Sequence, residues 1–462
     1  MAVGSGSKEQ WSSTWGFLLA AVGFAVGMGN IWRFPYQLGE NGGAAFLIVY
    51  LVCALAIGLP LLMTEIAIGR RGAASASQSV INVARESGRS PRWSIIGGMG
   101  IFCAFVILSY YTVLSGWTLD YFVKAASGSF KGATAEKTGA MFSALLANPW
   151  VLMFWNTVIH VIIIVVIRRG VQAGLEKAVK ILMPMLFGAI IVMVIYGMFA
   201  GDMGSTLKFL LEPDFSKLTF GTLMAAIGQA FFSIGIGMGS LIVFGAYMPK
   251  DFSIPRSSTY VVLIDTGVAL MVGFAIFPLV FAYGLDPSGG PGLIFQTLPL
   301  AFGQMPGGQF FGSIFFVLLI AAAVSSCLGL AEGVTNWLDE HWNVDRKKGV
   351  LWVSGSAWLL GIASILGLSV WREGWANLGL LNWIPSYAGK DIFDTLDTLA
   401  ANNLLLIGAT LAAIFFGWRV PKALKLDEFG VNDGLFFGFW RFMMRFIIPP
   451  ILIIALVMGI TE

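Results

Sequence analysis

Residues 23–35 read GFAVGMGNIWRFP and lie inside an apolar segment of membrane-crossing length. Gly23, Gly27 and Gly29 fall within seven residues, Asn30 follows at once, and Arg33 and Pro35 come straight after. Glycine is a poor helix former, so three of them in one apolar segment predict a break in the helix. In hydrocarbon, broken backbone is tolerated only where protein or a polar cavity satisfies the freed groups. Unwound carbonyls beside an amide side chain, with an arginine one turn on, are the pattern of a cation and carboxylate site at mid-membrane. That pattern points to transport rather than catalysis.

The surrounding chain agrees. Its 462 residues are 57% apolar and only 11% charged, where a soluble protein carries roughly 25% charged residues. The mean hydropathy is +0.82, and the composition is that of an all-α polytopic membrane protein. The net charge of +3, dispersed over loops, gives no reason to expect a nucleic-acid partner, and no obligate protein partner is evident. Cys53, Cys103 and Cys327 all lie in apolar runs, so neither a disulfide framework nor a CxxC metal site is offered. His160 and His341 lack ligand-spaced neighbours and read as structural. A short polar N-terminus runs into a full-length span with no small-residue cleavage motif, so no signal peptide is expected.

Apolar runs at 14–38, 43–69, 95–124, 150–167, 174–200, 218–246, 257–283, 308–338, 349–367, 393–417 and 436–459 predict eleven membrane spans, each near or above the roughly 20 residues a crossing needs. With spans alternating in direction, 20 of the 28 lysines and arginines fall on one side, including Arg70, Arg71, Arg346–Lys348 and Arg445. The basic side should be cytoplasmic. A plasma (cell inner) membrane protein with its N-terminus inside and its C-terminus outside is expected.

A second interrupted segment, GQAFFSIGIGMGS at 228–240, lies in span 6. Gly235, Gly237 and Gly239 recur at every second position, and Gly237-Met-Gly239-Ser240 parallels Gly27-Met-Gly29-Asn30. Two corresponding broken spans, five helices apart, are the sequence sign of a duplicated transporter core, and an odd spacing requires the repeats to be inverted. The expected division is 1–200 (tail and spans 1–5), 201–418 (spans 6–10, with the outer loop 284–307) and 419–462 (a cytoplasmic linker and span 11). The apolar middle of loop 284–307 suggests a short re-entrant hairpin that could cap an outer vestibule.

Taken together, WSSTWGFLLAAVGFAVGMGNIWRFPYQLGENGG, then GQAFFS and AAAVSSCLGLAE, resemble the neurotransmitter:sodium symporter family from about Lys8 to Trp418. GNIWRFPY followed by ENGG carries most of that resemblance. It implies the leucine-transporter-like fold, with eleven helices, a five-plus-five inverted repeat and broken helices 1 and 6. It also implies sodium-coupled symport of an amino acid by alternating access across a lipid bilayer, with no organic cofactor.

By resemblance, sodium ions would occupy two sites. The first would use the Ala25 carbonyl, the Asn30 amide, Ser233 and Asp265. The second would use the Gly23, Val26 and Ala322 carbonyls with the hydroxyls of Ser325 and Ser326. Serines in spans often bond their own helix instead. Asp265, in VVLIDTGVALMVG, stands where most eukaryotic relatives have asparagine and need chloride nearby. A mid-span carboxylate is expensive and marks function. With Ala269 four residues on offering no hydroxyl, chloride-independent transport is expected.

Gly27 bears on the substrate. Amine transporters of the family have aspartate there, and glycine leaves room for the substrate's own carboxylate, its other oxygen held by Tyr111. The substrate-binding set implied by the resemblance is Phe24, Ala25, Gly29, Ile107, Tyr111, Phe232, Ser233, Gly235, Met238, Ser326 and Leu330. Phe24 and Gly235 depart from the family's structural type case. A neutral, hydrophobic amino acid is expected, with small neutral ones, or a non-transporting sodium-dependent sensor, as alternatives. Arg33 and Asp397 match the outer gate, with Asp394 a rival partner, and Lys8, Trp11 and Glu340 match the inner one. Gly174 and Pro184 fit the family's unwinding motif in span 5, and Glu65 reads as support for broken span 6.

Overall fold

The computed structural model describes residues 10–287, 292–371, 381 and 383–461. Lys8 and positions 288–291 of the outer loop lie outside the described residues. Among the described residues the regular structure is entirely helical. Nine helices among the described residues are long and apolar enough to cross a membrane, and the bent pair Thr14–Ala25 and Gly29–Glu40, angled by 49°, makes a tenth. Span 6 is in two shorter pieces, Phe220–Ile234 and Ser240–Ala246.

Span ends follow from local chemistry. Asn148 accepts from the Val151 amide with Pro149 in the first turn, and Thr219 and Thr222 form a capping box at the start of span 6. Side chains such as Trp150, Phe199 and Leu435 are strongly exposed, which suits an apolar solvent around the bundle. Span 8, Gly308–Trp342, is the most enclosed of the long spans. It packs against span 3 (Pro91–Ala126), span 5 (Val171–Ala200) and the first half of span 1.

The broken half of span 6 is held by span 2, Ala44–Gly72. A Cβ on Gly69 would lie 1.8 Å from the Ile242 carbonyl oxygen, and one on Gly245 would lie 2.4 Å from the Ile66 oxygen. Backbone meets backbone there, an approach only glycine permits. One turn along span 2, buried Glu65 accepts a 2.7 Å hydrogen bond from the Gly237 amide, within the unwound stretch.

Several connections are more ordered than loop-like composition suggests. The stretch after span 2 forms the helix Ala76–Glu86. The apolar middle of the outer loop is helical over Leu293–Thr297 and Leu298–Gln304. Phe295 there packs on Trp117 and Tyr121 near the end of span 3 and on Phe142 of the helix Ala135–Leu146. Span 5 is helical throughout, with Gly174 in a wide turn at Val171–Glu176 and Pro184 inside Lys177–Ala200, so its motif is wound in this conformation.

Gly69→Ala should force spans 2 and 6 apart and cost about 1–3 kcal/mol. Gly98→Ala, whose added methyl meets only the Ser77 hydroxyl at 3.7 Å, should be silent. Thermal melts of the two purified variants check this, and equal melting temperatures would refute the backbone contact.

Candidate functional site

The first half of span 1 ends at Ala25, and the reason lies in where the next amides point. The Gly27 amide donates to Asn30 Oδ1 at 3.2 Å, the Met28 amide to the Tyr111 hydroxyl oxygen at 2.9 Å, and the Asn30 amide to the Gly27 carbonyl at 3.2 Å. In a continuous helix these donors would serve the carbonyls of Gly23, Phe24 and Val26. The Phe24 carbonyl is compensated by the Ser326 hydroxyl of span 8 at 3.1 Å. The Gly23 and Val26 carbonyls have lost their helical donors, and both are among the second-site acceptors named from sequence.

Span 6 breaks by a different device. Gly235, Gly237 and Gly239 have φ of +79°, +86° and +71°, a left-handed region that glycine enters without a Cβ clash. The two breaks are tied together by Gln229, whose side-chain amide donates to the Gly29 carbonyl at 2.8 Å. Gln229 is the second residue of the GQAFFS motif and is not among the site residues expected from sequence. A buried amide in a span was the signal that could have found it.

Asp265 is fully buried. Its carboxylate accepts from Asn30 Nδ2 at 2.8 Å and from the Ser233 hydroxyl at 2.7 Å, both neutral donors. Asn30 Nδ2 also reaches the Asp265 carbonyl at 3.1 Å. No basic side chain pairs with this carboxylate among the described residues, and a buried charge without a counter-charge is costly. The donor set of carboxylate, amide, hydroxyl and end-of-helix carbonyl at Ala25 is all oxygen, which fits a hard cation such as the sodium implied above. At the second set, Gly23 faces Ser325, where an added Cβ would stand 3.5 Å from the serine Cβ. Ser325 donates to its own helix at the Ala322 carbonyl, 3.0 Å away, which leaves its lone pairs free to accept a cation.

Beside these oxygens lies a small cavity of about 20 Å³. Its wall comprises Phe24, Ala25, Gly27, Gly29, Ile107, Tyr111, Phe232, Gly235, Met238, Ser326 and Leu330. Of the substrate-binding set expected from sequence, Ser233 alone is absent from the wall, and it stands behind, on Asp265. A Cβ on Gly27 would lie 2.5 Å from the Ser326 hydroxyl and 2.8 Å from that of Tyr111.

Phe24 points inward. An added Cβ would come within 2.5 Å of its ring at Gly235 and 2.3 Å at Gly329. The two departures at Phe24 and Gly235 are therefore one feature, a ring seated where other side chains would be. Gly329 completes that seat, and nothing in its own sequence neighbourhood distinguishes it from a packing glycine.

The matched gate residues sit as follows. Arg33 lies over the Phe232 ring at 4.8 Å, and Asp397 accepts from the Tyr110 hydroxyl at 2.8 Å. Each has a partner other than the one expected, and they form no direct ion pair in this conformation. On the opposite side Trp11 is buried, donates to the Phe244 carbonyl at 3.0 Å, and meets Phe17, Phe244 and Tyr247 edge-on. Glu340 accepts from the Ser75 amide. Glu176, not singled out from sequence, receives the Ser12 amide at 3.1 Å and Lys180 at 2.7 Å, anchoring the start of span 1 to span 5.

Gly329→Ala should push Phe24 off its rotamer and destabilise the protein by about 1–3 kcal/mol. Adding Phe24→Leu should recover most of that loss in a thermal melt. Additive losses in the double variant would mean that the two positions do not share this space.

Comparison with known proteins gives this geometry its setting. The Sodium:neurotransmitter symporter family matches residues 8–138 and 137–462. An uncharacterised sodium-dependent transporter of Bacillus subtilis is 36% identical over 450 residues, covering 96% of each chain. One from Haemophilus influenzae is 31% identical over 464 residues, 99% of each chain. The crystal structure of MhsT in complex with L-phenylalanine superposes with a TM-score of 0.88 at 40% identity, over 98% of this chain and 100% of that one. The chain belongs to the sodium:neurotransmitter symporter family, as a sodium-coupled transporter of the membrane and not an enzyme.

Proposed function

We propose that the protein carries neutral, hydrophobic amino acids together with sodium across the plasma membrane, by alternating access and without need of chloride. The observation that carries this reading is the fully buried Asp265 carboxylate beside Asn30, Ser233 and the opened end of span 1. A first sodium there is neutralised by Asp265, which removes the demand for a separate anion. Ala25, Asn30, Ser233 and Asp265 hold this ion. Gly23, Val26, Ala322, Ser325 and Ser326 hold a second one between spans 1 and 8.

The substrate's carboxylate is met where Gly27 lets the Tyr111 and Ser326 hydroxyls come close to span 1 and completes the first sodium site. Its ammonium is met by carbonyls of the two broken spans. The wall of Ile107, Phe24, Met238 and Leu330 is apolar, and a relative at 40% identity was crystallised with the apolar zwitterion L-phenylalanine. The inward ring of Phe24 favours a second reading, in which only small neutral amino acids fit. A binding screen of the twenty amino acids separates the two.

Arg33 and Asp397 act as the outer gate, closing through Phe232 and Tyr110. Trp11 and Glu340, with Lys8, act as the inner one. Spans 1–5 and 6–10 move as inverted repeats, with the N-terminus cytoplasmic and the C-terminus outside.

Because substrate completes the first site, sodium and substrate affinities are reciprocally coupled. Replacing sodium by potassium or choline should weaken L-phenylalanine binding at least roughly tenfold, a coupling of typical size for linked sites. Unchanged affinity would sink the symport reading. Asp265→Asn should make uptake respond to chloride, whereas wild-type uptake should be indifferent to it. Chloride-dependent wild-type uptake would remove Asp265 from that role.

A further inference from the structure

At the junction of spans 10 and 11, on the lysine- and arginine-rich side of the bundle, three cations gather without a counter-charge. Lys425, in the short helix Lys422–Phe429, is only 1% exposed. Its ammonium donates to the Gly417 carbonyl at 2.9 Å, and the Arg445 guanidinium donates to the same oxygen at 2.8 Å. Arg441 lies one helical turn before Arg445. Lys425 is flanked by the rings of Phe416 and Trp440, 6.0 and 5.9 Å away, and Arg445 lies over Trp418 at 5.1 Å.

The nearby acids are committed elsewhere. Glu428 pairs with Arg70 and Arg71, Asp427 and Glu86 with Arg71, and Asp433 with Lys422. One carbonyl oxygen is shared by two cationic donors, and no carboxylate bonds Lys425, Arg441 or Arg445 among the described residues. Burial and the two arginines push the Lys425 ammonium down to about 7. Beside this cluster, span 11 opens with Leu435, Phe436, Phe439, Phe442 and Phe446, all well exposed. Charge and apolar surface thus meet at one edge of the bundle.

We propose that Lys425, Arg441 and Arg445 form a site for the phosphate of an anionic membrane phospholipid, whose chains lie along the aromatic face of span 11. The anion must be a lipid because the cations open onto an apolar face, where a phosphodiester carries its own hydrocarbon. Arg445 and Arg441 are placed to take phosphate oxygens with their N–H donors, while Lys425 lies behind them and gains a counter-charge. The site ties span 11 and the span 10–11 linker together through the lipid, away from the substrate cavity.

Native mass spectrometry of the full chain, titrated with phosphatidylglycerol or phosphatidylcholine, tests this. Phosphatidylglycerol should bind with a roughly thirtyfold preference that Arg441→Gln/Arg445→Gln abolishes, about the effect of two basic residues at a membrane surface. Arg441→Lys/Arg445→Lys should keep most of it, and Lys422→Gln, at the Asp433 pair, should keep all of it. Should the double glutamine variant not fold, Arg441→Gln alone, which breaks no hydrogen bond or ion pair among the described residues, should still lose about fivefold. Equal binding of the two lipids, or a preference untouched by these substitutions, overturns the proposal. Displacement of phosphatidylglycerol by millimolar inorganic phosphate overturns it in favour of a free-anion site.

Discussion

Three backbone amides, at Gly27, Met28 and Asn30, do not bond where a helix would send them, and the site depends on that diversion. Each finds an alternative acceptor at 2.9–3.2 Å, in the Asn30 side chain, the Tyr111 hydroxyl and the Gly27 carbonyl. A buried donor must be satisfied somewhere. By satisfying these three off-axis, the chain frees carbonyl oxygens without leaving a penalty in the amides. Main-chain oxygens are thus left beside the single carboxylate of Asp265, a donor set of the kind a hard cation takes. Tyr111 belongs to span 3 and Ser326 to span 8, so the broken segment is held by the scaffold as well as by its own Asn30 and Gly27.

Span 6 solves the complementary problem with glycine at positive φ, and its instability is met from span 2. Glu65 accepts the Gly237 amide, and Gly69 and Gly245 allow the two backbones to touch. The breaks in spans 1 and 6 are therefore braced from opposite directions, with Gln229 bridging them. This arrangement ties the two broken segments to each other and to the scaffold while leaving each span in two helical pieces.

Much of this was legible in the chain. Glycine spacing in GFAVGMGNIWRFP and GIGMGS located both breaks, because backbone freedom is encoded locally. Hydropathy delimited the spans to within a few residues, since a bilayer imposes a length. The residues lining the cavity followed from motif resemblance, with Ser233 behind the wall and not in it. What escaped depends on contacts between distant segments. Gly329 gains meaning only once the Phe24 ring is seen against it, and Glu176 only once Ser12 is found beside it. The pairing of charges was equally hidden. Arg33 and Asp397 are 364 positions apart in the chain, and the partners they take, Phe232 and Tyr110, are set by packing between spans that the order of residues does not display.

The seat of Phe24 constrains how this pocket can change its preference over time. Two glycines on different spans, Gly235 and Gly329, share one ring; Gly235 is also held to glycine by its positive φ, so it is enlarging Gly329 that is harmful while the phenylalanine stands and tolerable once it has shrunk. The sign of an identical substitution then depends on what preceded it. Selection for a new substrate would have to pass first through position 24. Related transporters bearing bulkier residues at 329 should be found on lineages where that first step has already been taken.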